Sequence, residues 1–221
     1  MLKLLLLDVE GTVCLFGEPA STPELQSSLW HALAYELGPA AVARDIALYD
    51  AWYAGAIDSY AAWCRQAVDN LVASGLTKEL FAAGVAQTRI APGADALVEA
   101  ARNRGIHLAL ISGGFSELVR HVQRRLDIPF GQGAVDILDW TSVPLKLALY
   151  PAYGAGKTHF ARSLADDLHI DLADVGMVGD GRSDVHLAQS VGRSFAIHAT
   201  DELRNIATDV VSSFDEIIGK L

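Results

Sequence analysis

Cysteine is scarce in this 221-residue chain: it has two, Cys14 and Cys64, with no CxxC spacing and no histidine cluster beside them. That excludes a disulfide framework and a Cys/His zinc site, and it suits a reducing, cytoplasmic setting. Positive charge is also in short supply. Lys and Arg total 17 against 27 Asp and Glu, for a formal net charge of -10. The long-range field therefore repels a phosphate backbone, and nucleic acid is not an expected partner. A small anionic ligand would have to find its counter-charge locally, in a metal ion or in individual Lys and Arg side chains. Long apolar runs are lacking too. Leu4 to Leu7 is cut off at Asp8, far short of a signal-peptide core or a membrane span, so no membrane partner is expected. Internal repeats and low-complexity tracts are missing as well.

What is present is the composition of a folded globular protein, with 51% apolar and 20% charged residues. The length allows one large domain or a core with a smaller appendage. Short apolar runs alternate with stretches of helical period, which points to βαβ units and a parallel sheet. The runs are Leu2 to Leu7, Ile106 to Ile111, Val175 to Val178 and Phe195 to Ile197. The first three deliver Asp8, Ser112 and Asp180 at the strand ends where open parallel sheets bind ligands. Residues 17–88 break the alternation and read as helices over Thr22 to Leu37, Arg44 to Ala54, Ser59 to Ala73 and Lys78 to Gln87. The aromatic residues of this stretch, Trp30, Trp52, Tyr53, Tyr60 and Trp63, are read as packing within it rather than as ligand contacts. Further helices are expected over Pro92 to Arg104, Ser116 to Leu126, Thr158 to Leu168 and Val185 to Ser190, and a hairpin over Ala134 to Tyr150. The fold class is thus α/β, a Rossmann-like parallel sheet core with a small all-helical insertion after the first strand.

Four segments carry chemistry. Asp8-Val9-Glu10-Gly11-Thr12 sets two carboxylates two residues apart at a strand end, where extended backbone points both to one side. One could attack while the other moves a proton. Gly11 permits a sharp turn and Thr12 can hold it. Ile111-Ser112-Gly113-Gly114-Phe115 sits between a strand and a helix, a context that grips an anion or forms a plain turn. Lys157 lies in Gly154-Ala155-Gly156-Lys157-Thr158, yet the first glycine of a nucleotide P-loop would fall at position 151, which is Pro151. A P-loop is excluded. A lysine at a helix start opposes the helix dipole, which gives Lys157 a functional task or leaves it a solvated surface residue. Val178-Gly179-Asp180-Gly181-Arg182-Ser183-Asp184 supplies hard oxygen donors of the kind that suit Mg²⁺, although Asp184 could equally cap the following helix.

In this order and in these contexts, the four segments resemble the haloacid dehalogenase (HAD) superfamily, and within it the phosphoserine phosphatase-like branch. The resemblance implies a HAD-like α/β core over residues 1–16 and 89–221 and a helical cap domain over 17–88. It implies a Mg²⁺-dependent phosphomonoester hydrolase working through a phosphoaspartate on a small phosphorylated metabolite. By that analogy Asp8 is the nucleophile and Glu10 the general acid and base. Ser112, Gly113, Lys157 and Ser183 would meet phosphate or substrate. Metal would be held by the Asp8 carboxylate, the Glu10 backbone carbonyl and Asp180, with Asp184 supporting that shell.

Glu10 departs from the family pattern, since most of its phosphatases have Asp there. The longer side chain moves the carboxyl outward by about 1.5 Å, although an Asp-x-Glu segment also resembles the enolase-phosphatase branch. For a phosphoserine-like substrate the nearest cap recognition residues are Glu18 and Arg65, each about one position from its expected place. A phosphotransferase, or a weakly active phosphate-binding protein, is the alternative reading. A monomer or homodimer is expected.

Overall fold

A computed structural model describes residues 1–17 and 28–221 of the chain. Its centre is a seven-stranded sheet in the order β6-β5-β4-β1-β7-β8-β9. The strands are β1 (Leu4–Asp8), β4 (His107–Phe115), β5 (Phe130–Asp139), β6 (Lys146–Leu149), β7 (Val175–Gly179), β8 (Arg193–Ile197) and β9 (Asp209–Val211). All pairings in it are parallel except β5 with β6, the expected hairpin. β1 is central because Leu4, Leu5, Leu6 and Leu7 can be covered on both faces, and all four have no exposed surface. Its neighbours run in register, Asp8 beside Ile111 on β4 and Leu7 beside Val178 on β7. The C-terminal ends of three adjacent strands therefore converge on one edge.

The helices that flank the sheet follow their sequence signals. α5 (Ala94–Asn103) and α7 (Ala155–Asp167) enclose the middle of the chain, and α6 (Ser116–Leu126) lies between β4 and β5. α6 buries Leu118, Val119, Val122 and Leu126, with Glu117 in its first turn and Arg124 and Arg125 in its last, the arrangement that complements the helix dipole. Short helices α8 (Val185–Ala188), α9 (Asp201–Arg204) and α10 (Phe214–Ile218) follow the later strands.

Between β1 and α5 the described residues make four helices, α1 (Leu29–Glu36), α2 (Pro39–Tyr53), α3 (Tyr60–Ala73) and α4 (Lys78–Ala86). Ser28, Ser59 and Thr77 cap α1, α3 and α4 by accepting backbone N–H groups, and Pro39 begins α2. α4 approaches α1 so closely that a Cβ on Gly84 would lie 2.7 Å from Leu33. The helices meet the sheet through Trp30 and Phe81, whose rings lie 4.0 and 4.9 Å from Phe115. Two short strands, β2 (Cys14–Leu15) and β3 (Arg89–Ile90), pair antiparallel where this stretch leaves and rejoins the rest.

Several expectations need correction. β2, β3 and β9 were not foreseen, because two- and three-residue strands carry too little alternation to read. α2 starts at Pro39 rather than Arg44, since Pro at a first helical position is favourable. The expected helix from Thr22 lies partly outside the described residues, and its described part is α1. β4 does not stop at Ile111 but runs through Ser112, Gly113 and Gly114 to Phe115, with a register shift against β5 in that segment. Lys157 is the third residue of α7, not the residue before it. Among the described residues, no helix is long and apolar enough to cross a membrane.

Candidate active site

Asp8 closes β1 and is 6% exposed. Its Oδ1 accepts a hydrogen bond from Lys157 Nζ, which also donates to Asp184 Oδ1 at 2.7 Å. Lys157 is wholly buried. A buried ammonium is tolerable only when paired, and the two carboxylates outweigh burial to raise its pKa above the ordinary lysine value. The conflict with the helix dipole is thereby accounted for: Lys157 is neither a surface residue nor a helix stabiliser, but the buried counter-charge of the strand-end acids.

Asp184 is wholly buried and its second oxygen is also used. Oδ2 accepts from the backbone N–H groups of Asp180 at 3.3 Å and Gly181 at 3.2 Å. Asp184 thus ties the loop after β7 to Lys157. A Cβ on Gly179 would come within 2.5 Å of its carboxyl carbon, so only glycine admits it. Thr12 reaches the same group from the turn after β1. Its hydroxyl donates to Asp180 Oδ1 at 3.2 Å and lies 3.5 Å from Asp8 Oδ2. Gly11, at φ 81°, makes that turn in the left-handed region.

The carboxylates of Asp8, Asp180 and Asp184 offer oxygen atoms all within 4.8 Å of one another. One lysine does not balance three acids. Burial first, then the neighbouring Asp8 and Asp184, push the Asp180 carboxyl well above the usual range. Burial likewise lifts Asp8, against the pull of Lys157, to about 6. The cluster therefore favours an added positive charge, and its hard oxygen donors fit a divalent cation such as Mg²⁺. Asp8 and Asp180 would hold it, while Asp184, with both oxygens engaged, would steady them from behind.

Glu10 stands across the cavity from this cluster. Its Oε1 accepts from Leu29 N, at the start of α1, at 2.7 Å, and its Oε2 accepts from Ser112 Oγ at 3.2 Å. The Ser112 hydroxyl in turn accepts from Gly114 N at 2.9 Å. A Cβ on Gly114 would lie 1.9 Å from Glu10 Oε2. Gly114 is thus explained by the carboxyl that presses on it, and Gly113 by the Tyr60 hydroxyl and the Tyr153 ring, 2.9 and 3.1 Å from where its Cβ would stand. Burial raises Glu10 to about 7, the Leu29 N–H opposing it and the Asp8 charge adding to it. Two carboxyls in one cavity are held in different environments, the pattern of a nucleophile with an acid–base partner.

Asp8, Glu10, Ser112, Gly113, Asp180 and Ser183 all line a single cavity of about 130 Å³. Lys157 and Asp184 lie behind it. All eight residues singled out in the sequence are therefore brought together. Glu18 lies outside the described residues. Arg65 does not line the cavity, and its Nη1 donates to the Leu145 carbonyl at 2.8 Å. The aromatic residues require a correction. Trp30, Trp52, Tyr60 and Trp63 pack together and Tyr53 packs on Tyr49, but all five also line the cavity, joined by Tyr153 from the loop before α7. Tyr60 was missed as an anchor: its hydroxyl donates to the Gly113 carbonyl at 2.6 Å, a contact between residues far apart in sequence that no local pattern reports.

The family model for haloacid dehalogenase-like hydrolases matches residues 8–189. A phosphoserine phosphatase of Streptomyces coelicolor is 26% identical over 128 residues, 58% of this chain and 31% of that protein. One from Albidiferax ferrireducens is 29% identical over 126 residues, 55% of this chain and 53% of that protein. The alignments thus span about a third to a half of these relatives. A structure of phosphoserine phosphatase in its apo form superposes with a TM-score of 0.81 at 18% identity, covering 100% of both chains. A phospho-aspartyl intermediate analogue of phosphoserine phosphatase gives 0.79 at 19% identity, covering 100% of this chain and 99% of the other. At these identities the superpositions establish a common fold.

Proposed function

The chain belongs to the haloacid dehalogenase-like hydrolases, and from that premise we propose that it is a Mg²⁺-dependent phosphatase that hydrolyses a small phosphomonoester through a phosphoaspartate on Asp8. The observation that carries the reading is the pairing of Asp8, held by buried Lys157, with Glu10, held near neutrality in the same cavity. We take residues 1–16 and 89–221 as the catalytic core and 17–88 as the cap.

In the first step Asp8 Oδ2, the carboxylate oxygen not held by Lys157, attacks phosphorus in line. The new O–P bond forms as the ester O–P bond breaks, and the Glu10 proton passes to the departing alkoxide. In the second step Glu10 takes a proton from water, the water oxygen bonds to phosphorus, and the Asp8 O–P bond breaks to release phosphate. A carboxyl near 7 serves both directions at neutral pH. Lys157 fixes Asp8 and offsets charge, and Ser112 with the neighbouring backbone receives the phosphoryl oxygens. When bound, Mg²⁺ supplies the remaining charge that lets an anionic nucleophile meet a dianionic ester.

The extra reach of Glu10 speaks for turnover rather than against it. Leu29 N and Ser112 Oγ hold both of its oxygens, and Gly114 leaves the room it needs. The test is phosphate release from p-nitrophenyl phosphate with Mg²⁺ or EDTA, for wild type and Asp8→Asn. Release that requires Mg²⁺ and vanishes in the variant is expected. Release that survives the substitution would mean that Asp8 is not the nucleophile, and phosphorylation of an added alcohol instead of water would reassign the chain as a phosphotransferase.

A further inference from the structure

Resting on the phosphatase reading, the walls of the cavity select a class of alcohol. An ester with a carboxylate on its alcohol portion needs a free cation to meet it. Among the described residues lining the cavity, Arg182 is the one basic side chain, and its charge is already shared: Nε is 2.5 Å from Glu202 Oε2, and its guanidinium lies 4.4 Å over the Tyr53 ring. Lys157 is spent on Asp8 and Asp184. Arg65 is held by the Leu145 carbonyl. Residues 18–27 contain no Lys or Arg, only the acids Glu18 and Glu24. What a leaving group meets instead is negative charge and aromatic surface. Asp45, whose Oδ2 is shared with His31 Nδ1 at 2.9 Å, lines the cavity from α2, beside Trp52 and Tyr53 of the same helix.

Aromatic walls beside acids attract an organic cation, because the negative ring face and the carboxylates act in the same direction. The guanidinium over Tyr53 is one such contact already built into the rim. A flat aromatic leaving group is less well served, since Tyr60 is already stacked on Trp63 at 5.2 Å and on Tyr153 at 4.0 Å. Trp52 is oriented by its indole N–H, which donates to Tyr153 Oη at 3.4 Å. We infer that the cavity takes phosphomonoesters of alkylammonium alcohols, of the choline and ethanolamine type, in preference to carboxylate-bearing esters, with Trp52 as a specificity-determining residue.

The test compares kcat/KM for phosphocholine, phosphoethanolamine, phosphoserine, p-nitrophenyl phosphate and neohexyl phosphate, the neutral isostere in which a tert-butyl group replaces trimethylammonium. Phosphocholine should exceed phosphoserine, and it should exceed neohexyl phosphate by roughly two- to thirtyfold, the span of a cation–π contact. Trp52→Leu keeps apolar bulk and should compress the phosphocholine to neohexyl phosphate ratio, whereas a merely structural role would lower both esters together. Choline binding, followed through quenching of tryptophan fluorescence with neohexyl alcohol as the neutral control, reads the same preference without turnover. Phosphoserine or p-nitrophenyl phosphate as the best ester, or equal use of the two isosteres, overturns the inference and leaves the phosphatase reading intact. If no ester is hydrolysed, the phosphatase reading fails, and choline quenching alone then decides whether the cation site stands or falls.

Discussion

Replacing Glu10 by Gln should make the metal-free protein more stable as it destroys activity. The buried carboxyl is carried from its ordinary 4.5 to about 7 in the folded chain. Below 4.5 it is protonated whether the chain is folded or not, and its ionisation costs nothing. Between 4.5 and about 7 the unfolded chain releases the proton and the folded chain keeps it, so stability falls as pH rises. Above about 7 the loss is complete, at roughly 3 kcal/mol. Glutamine has no proton to lose. Its amide oxygen can still accept from Leu29 N, and its NH₂ can donate to Ser112 Oγ, so both contacts persist in neutral form. Thermal melts in EDTA across this pH range should show the advantage of Glu10→Gln growing from pH 4.5 to 7 and levelling beyond, by about 6–12 °C at a protein of this size. An advantage that does not change with pH, or a variant less stable than wild type at pH 8, would refute the placement of an ionisable carboxyl in that cavity.

Other substitutions probe the same constellation. Lys157→Met leaves the strand-end acids without their buried counter-charge and should cost roughly 3–5 kcal/mol, or about 6–20 °C in a melt, together with activity. A change under 2 °C would show that the lysine does not balance them. Gly114→Ala would drive a Cβ into Glu10 Oε2, now 1.9 Å from that position. It should lower kcat by about a hundredfold, the scale of an ångström's misplacement, as measured by phosphate release. Asp184→Asn removes the residue that steadies the loop after β7, and the Mg²⁺ concentration for half-maximal rate should rise roughly 10–100-fold. An unchanged Mg²⁺ requirement would separate Asp184 from the cation.

Much of this site was legible because its acids and hydroxyl stand in short segments where a buried strand ends. Asp8, Ser112 and Asp180 could be placed on one edge of a parallel sheet without knowing the order of its strands. Lys157 was visible only as a conflict with its own helix. Its burial depends on strand-end acids from two other segments, one of them 149 residues away, closing around it. The run of β4 through Gly113 and Gly114 was hidden because glycine weakens strands and reads as a turn, and the groups that need the room, Tyr60 and Tyr153 at Gly113 and Glu10 at Gly114, come from other segments. The aromatic walls were the largest loss. Helical spacing told which residues share a face but not that this face turns toward the cavity, and the Tyr60 contact to Gly113 is tertiary throughout.

The central claim is that Asp8 carries the phosphoryl group. Wild-type protein mixed with Mg²⁺ and p-nitrophenyl phosphate, quenched in acid within a turnover and digested, should yield the peptide containing Asp8 heavier by one phosphoryl group. Asp8→Asn should yield none. The same added mass on the Ser112 peptide, or steady turnover with no phosphorylated peptide at any quench time, would contradict the account.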